Sequence, residues 1–266
     1  MRTILAVSPH LDDAVLSYGG RLAEFARSGH PVIVYTVFAG VPQPPYSDVA
    51  DHYHRLWGVS GSPVPARILE NEEAIARVGA VPIDGRHLDA IYRKDDLGRW
   101  LIADSSAPAN EQPETADEPE LLDHISQDVV QLISDHDPSL VFTCVAIGDH
   151  VDHRRARDAT ARATRVTGSR LRLWEDLPYG VLGREIPHLP DGVRIDSPIV
   201  EDVSSGDWRL KREAMECYTS QLPLLASMLK SEGTEVAEQL ADHARTDRAQ
   251  VYSERVWEVE FASSAS

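Results

Sequence analysis

Two cysteines in 266 residues are too few for a disulfide framework. Cys144 lies inside the apolar run LVFTCVA and Cys217 in a helical pattern, so neither belongs to a closely spaced ligand set. Positive charge is scarce as well: 26 Lys and Arg face 43 Asp and Glu, a formal net charge of −17. Such a balance repels phosphate backbones and anionic head groups, and no basic patch offsets it, so a small-molecule partner is expected and a nucleic acid or membrane surface is not. No long apolar stretch opens the chain. MRTILAVSPH passes straight into a short aliphatic run, which suits neither a secretion signal nor a membrane span, and the protein is read as cytoplasmic. A GxGxxG run after the first strand is also missing, and SYGG inside the following helix does not replace it; this counts against a non-catalytic nucleotide-binding module.

What is present is alternation. The length and the 42% hydrophobic content suffice for one sizeable core, and strand-like and helix-like runs alternate almost to the C-terminus. TILAV (3–7) reads as a strand, AVLSYGGRLAEFARSG as a helix stopped near Gly29, and PVIVYTVFAG as a second buried strand, together a βαβ unit. Further helices are expected at 65–78, 120–135, 154–167 and 206–230, with another after it. Strands are expected near AVPIDGRHL, at SLVFTCVA, LRLWEDL and 198–203, and at 255–262. Residues 103–119, rich in Pro, Ala and acids, read as a mobile loop at the pocket mouth, and 178–197 as a Pro- and Gly-rich loop. The expectation is a single domain over 1–266, a Rossmann-like three-layer α/β/α fold with a mostly parallel sheet.

Two polar clusters interrupt this pattern at equivalent places. SPHLDD follows the first strand, and GDHVDHRRA follows SLVFTCVA; each precedes a helix. Both therefore fall at strand C-termini, where open α/β sheets bind ligands. Either cluster alone is ordinary, since Asp commonly caps helices. Together they bring complementary ligand types to one edge. Two imidazoles and a carboxylate around an open position form a catalytic zinc set, and zinc lowers the pKa of the water it holds toward ~7. His10 and Asp13, three apart at a loop-to-helix junction, with His153 from the other loop, are the expected ligands; zinc is the expected metal and iron(II) the alternative. Asp12, left over beside the metal, is the candidate general base and acid. His150 is placed to stabilise an oxyanion, with Asp152 fixing its tautomer.

At these residues the sequence resembles the LmbE-like or PIG-L family of zinc-dependent N-deacetylases, whose motifs Ala-His-Pro-Asp-Asp-Glu and His-x-Asp-His read here as PHLDDA and HVDH. The resemblance extends through GGRLAEFARSGHPVIVYTVFAG, RILENEEAIARVGA and KREAMECYTSQ in matching order. It implies the same roles: His10, Asp13 and His153 as metal ligands, Asp12 as base, His150 as the histidine that assists the transition state. It also implies a substrate-binding role for Arg67, although an isolated arginine is more often a solvated helix residue. Leu11 and Ala14 depart from the family's Pro and Glu. Gly148 stands where some members carry an oxyanion tyrosine, for which Tyr92, Asp176 and Tyr179 are the alternatives here. His52 and His54 of DHYHR, in loop-like surroundings, read as surface or substrate-loop residues.

The resemblance implies hydrolytic removal of an acyl group, most often acetyl, from the amine of a small glycoside or aminosugar-containing metabolite. The alternative is an amidase for a non-sugar N-acyl compound. Assembly into a homo-oligomer is left open.

Overall fold

The computed structural model describes residues 1–58, 62–102, 118–230 and 235–262. Its centre is an eight-stranded sheet. Strands β1 (Ile4–Ser8), β2 (Val32–Thr36), β3 (Val81–Asp84), β4 (Leu140–Cys144) and β5 (Leu171–Trp174) run parallel in the order β3-β2-β1-β4-β5. A long strand β8 (Val251–Phe261) joins β5 antiparallel and itself pairs with β6 (Val193–Ile195) and β7 (Ile199–Ser204). Every residue of β1, β2 and β4 is buried, as the unbroken apolar runs require of strands covered on both faces.

Alternate residues of those strands feed two cores. Ile4, Ala6, Val32, Val34 and Phe142 pack beneath α1 (Asp13–Arg27), α3 (Val64–Arg77), α6 (Ser205–Met215), α7 (Leu222–Leu229) and α8 (Glu235–Ala244). Leu5, Val7, Ile33, Tyr35 and Val141 pack beneath α4 (Pro119–His136) and α5 (Val151–Thr167). The result is the α/β/α sandwich expected from the alternation. Among the described residues no helix is long and apolar enough to cross a membrane.

Strand order reverses between β1 and β4. The chain winds outward from β1 through β2 to β3, then returns to the other side of β1 for β4 and β5. The crevice outside the C-terminal ends of β1 and β4 is thus a topological switch point, and both polar clusters open from those two ends.

Several elements differ from the sequence reading. DHYHR is helical, within α2 (Asp48–Leu56), whose first turn is capped by Ser47 Oγ accepting from the Ala50 amide at 3.0 Å. The helix expected over 206–230 is two. Between α6 and α7 the chain is tied to Glu70 of α3, which accepts from the Ser220 amide and from the hydroxyls of Ser220 and Thr219, and Pro223 opens α7 where a missing N–H costs nothing. A short strand, β6, lies within the loop expected at 178–197. The proposed loop 103–119 falls outside the described residues except for its last two, Glu118 and Pro119, which start α4.

Helix α1 breaks at Tyr18 (φ −137°, ψ 15°) and restarts at once. The restart leaves helical N–H groups without partners, and Glu254 of β8 takes those of Gly20 and Arg21 at 3.0 and 2.9 Å. Lys211 of α6 neutralises the same carboxylate at 2.6 Å, with both side chains essentially out of solvent. A Cβ at Gly20 would fall 2.6 Å from Val203 Cγ1, so SYGG serves close packing of helix on strand.

Candidate active site

The first cluster is braced from β1. Ser8 Oγ donates to the His10 carbonyl at 2.7 Å and accepts from the Ala14 amide at 3.1 Å, while the His10 amide donates to Asp13 Oδ2 at 2.8 Å. These bonds turn the chain so that His10 and Asp13 face one point. The second cluster reaches it because α5 starts at Val151, three residues before the expected 154, so that His153 lies in the first turn. Asp13 Oδ2 lies 3.2 Å from His10 Nδ1 and 3.3 Å from His153 Nε2, and the ligand atoms of the three residues lie within 4.8 Å of one another.

The far nitrogen of each imidazole is held by a carboxylate. His10 Nε2 meets Asp152 Oδ2 at 3.0 Å, and His153 Nδ1 meets Asp176 Oδ1 at 2.7 Å; Asp176 Oδ2 accepts from the Ile147 amide. Carboxylates behind ring nitrogens are what orient metal-binding histidines. The donor set and its outer partners therefore fit a divalent metal of the zinc or iron(II) kind.

Electrostatics follow from burial. Burial alone would depress the His10 imidazole, but hydrogen bonds to Asp13 and Asp152 carry it up to about 10. Burial would raise Asp13, yet the charge of His153 and its bonds to both imidazoles hold it well below the usual carboxylate range. Burial and the adjacent Asp13 push Asp12 up to about 6, against the pull of Arg67. His150 is driven down to about 3, chiefly by burial, and is neutral near pH 7.

Asp12 occupies the N-cap position of α1 but makes no side-chain cap hydrogen bond, so the ordinary explanation of an Asp there fails. Its carboxylate faces the cavity, 3.9 Å from Arg67. His150 does cap its helix: Nδ1 accepts from the Asp152 amide at 3.1 Å, which leaves the proton of the neutral ring on Nε2. The Asp152 backbone fixes the His150 tautomer, while its carboxylate is engaged with His10, the Ala90 amide and Arg93.

The cavity, about 220 Å³, is lined by His10, Asp12, Asp13, His150, His153 and Arg67 together with residues the sequence did not single out, among them Trp57, Asp89 and Gln221. Arg67 is only 6% exposed, stacks over Trp57 at 4.6 Å and has a buried Nε without a hydrogen-bond partner among the described residues; the solvated-helix alternative does not hold. Leu16, Leu177, Leu224, Leu225 and Met228 give the cavity an apolar side. Asp89 follows β3 as Asp176 follows β5, and that position at a strand end was the signal available for both.

Of the tyrosine alternatives, Tyr179 lines the cavity. Burial raises its hydroxyl to about 12, so it stays protonated. Asp176 stands behind His153, and Tyr92 is paired with buried His54 at 2.8 Å, away from the cavity wall. Gly148 has φ +91°, and a Cβ there would sit 2.4 Å from the Tyr179 ring. The two loops thus share one volume. Ala14 is buried in the core, and the carboxylates near the histidines come from Asp152 and Asp176.

Residues 5–164 match the family model described as PIG-L, GlcNAc-PI de-N-acetylase. The zinc-inhibited form of teicoplanin deacetylase Orf2 superposes with a TM-score of 0.90 at 39% identity, covering 99% of this chain and 100% of that one. The A40926 pseudoaglycone deacetylase Dbv21 gives 0.83 at 38%, covering 98% of each. A 2'-N-acetylparomamine deacetylase of Niallia circulans is 28% identical over 236 residues, 83% of this chain and 81% of its own. With the family's two motifs meeting at the switch point and its model spanning more than half of the sequence, the chain belongs to the PIG-L family.

Proposed function

We propose that the protein is a metal-dependent N-deacetylase acting on an aminosugar carried by a small, partly apolar metabolite, with the whole chain working as one catalytic unit. The observation that carries this reading is the convergence of His10, Asp13 and His153 on one point, with an uncapped, cavity-facing Asp12 beside it. The names of the similar proteins, deacetylases of teicoplanin, of the A40926 pseudoaglycone and of acetylparomamine, support the substrate class.

His10, Asp13 and His153 would hold the metal, zinc or iron(II), which when bound supplies Lewis acidity toward an amide carbonyl and an acidified water. Asp12 takes the proton of the attacking water and returns it to the departing amine. His150, neutral and protonated on Nε2, donates to the carbonyl oxygen as negative charge develops there. Arg67 and Asp89 offer a donor and an acceptor for polar groups of the sugar, and the leucines with Met228 cover apolar surface of the attached scaffold. The products are acetate and a free amine.

The test is incubation of the protein, loaded in parallel with zinc and with iron(II), with a panel of N-acetylglucosaminyl glycosides and, beside them, N-acetyl amino acids, read by mass for loss of acetyl and by assay for acetate. Acetyl loss from glycosides is expected. Turnover confined to the amino-acid amides would replace the sugar reading with the amidase one, and no acetyl loss from any glycoside would overturn it.

A further inference from the structure

Arg93 does not line the cavity, yet it is gripped on several sides. Nε and one terminal nitrogen donate to the two carboxylate oxygens of Glu118 at 2.8 and 3.0 Å. The other terminal nitrogen donates to Asp152 Oδ1 at 2.7 Å and to the Leu88 carbonyl at 2.8 Å. The guanidinium carbon lies 5.1 Å from the centre of the Phe38 ring. Glu118, left-handed at φ 38°, also meets Arg155 at 3.5 Å.

The far side of this grip is the candidate metal centre. Asp152 is 0% exposed, and its second oxygen accepts from the Ala90 amide at 2.9 Å and meets His10 Nε2 at 3.0 Å. One oxygen therefore belongs to Arg93 and the other to His10. A carboxylate buried so completely is held in one rotamer by the groups bonded to it, and removing the cation among them leaves it without its main anchor. Arginine alone can be that cation here, because its planar fork serves Glu118 with one edge and Asp152 with the remaining nitrogen. A lysine ammonium keeps the charge but cannot span both carboxylates in that geometry.

We propose that Arg93, braced by Glu118, is a positioning residue for the metal: it fixes Asp152 so that Asp152 accepts the hydrogen bond of the His10 Nε2–H, leaving Nδ1 turned to Asp13 as a ligand, and so sets metal affinity. The inference rests on the metal reading above but assigns the role to Arg93 and Glu118, which neither sequence motif contains.

The experiment uses the full chain, wild type and the variants Arg93→Met, Arg93→Lys and, as a control, Arg77→Lys, whose arginine pairs with Glu73 on the exposed face of α3. Zinc affinity is measured by competition with a chromophoric chelator, and the ring N–H resonance of His10 is followed in the zinc-loaded protein. Outer partners of metal-binding histidines typically contribute about 10- to 100-fold in affinity. A loss in that range is expected for Arg93→Met and a smaller one for Arg93→Lys, with the His10 resonance moved in both and neither readout changed in the control. If Arg93→Met does not fold, Arg93→Lys decides. A folded Arg93→Lys with wild-type zinc affinity and an unmoved resonance overturns the proposal. A wild-type protein that takes up no zinc would instead strike the metal reading itself.

Discussion

Asp176 Oδ1 lies 2.7 Å from Nδ1 of His153, and its other oxygen holds the Ile147 amide. This carboxylate orients a candidate ligand from a third strand end. Asp176→Ala is expected to weaken zinc binding by about 10- to 100-fold. Asp176→Asn, which keeps an acceptor for the ring N–H, should lose less. Chelator competition on both variants checks the order; equal affinities for wild type and Asp176→Ala would remove the residue from the centre.

Asp12 and Asp13 are adjacent but face different tasks. Asp13→Asn exchanges a charged ligand for a neutral one and should release metal. Asp12→Asn should retain the metal while turnover falls by ~100- to 10,000-fold, the usual contribution of a general acid-base group. Metal content beside kcat, on any acetamido glycoside that the wild type hydrolyses, separates them. An Asp12→Asn enzyme turning over at the wild-type rate would leave the reaction needing another base.

Glu254 holds the restarted half of α1 and the buried ammonium of Lys211. Removing one partner of a buried ion pair typically costs about 3–5 kcal/mol. Lys211→Met and Glu254→Gln should each approach that loss in denaturant unfolding, while replacing both together should cost less than the sum of the two. Strict additivity would mean that the two side chains act independently.

Glu175, paired with His243 and Arg255, supplies a pH dependence of the fold. Burial would raise its carboxyl, but hydrogen bonding from His243 and the charge of Arg255 outweigh it and hold the group below its usual value. A carboxyl depressed in the folded state stabilises the fold fully above its unfolded pKa, and that contribution is lost as pH falls through the lower folded value. Glu175→Gln should therefore be less stable than wild type at neutral pH, and the gap should close as the solution is taken below the ordinary glutamate range. A gap that stayed constant into acid would show that charge on Glu175 is not what stabilises.

Gly148 adopts φ +91°, and any Cβ there meets the Tyr179 ring. Gly148→Ala is expected to cost about 1–3 kcal/mol in backbone strain and to lower turnover by displacing Tyr179 from the cavity. A thermal midpoint and a kcat both equal to wild type would contradict this.

The parallel half of the sheet and the metal-ligand candidates were legible because their signals are local. Ile4 to Val7 and Leu140 to Cys144 are uninterrupted apolar runs, and His10, Asp13 and His153 belong to short motifs at the ends of those runs. What escaped depends on contacts between distant segments. Nothing near residue 216 announces the end of a helix; the break comes from Glu70, which holds Thr219 and Ser220 from α3. Asp152 looked like the partner of His150 because they are neighbours in sequence, whereas its carboxylate is claimed by Arg93 and His10. For Arg67 only the resemblance pointed to the cavity, because the groups that enclose it, Trp57 and Asp12, come from other segments of the chain.

The shared volume at Gly148 and Tyr179 makes these two positions epistatic. A phenol carried at 148 and the phenol of Tyr179 are alternatives that cannot both be accommodated. A tyrosine introduced at 148 while Tyr179 remains has no room for its first side-chain atom. A side chain at 148 therefore needs a smaller residue at 179, and the glycine is what leaves the Tyr179 ring its place in the cavity wall.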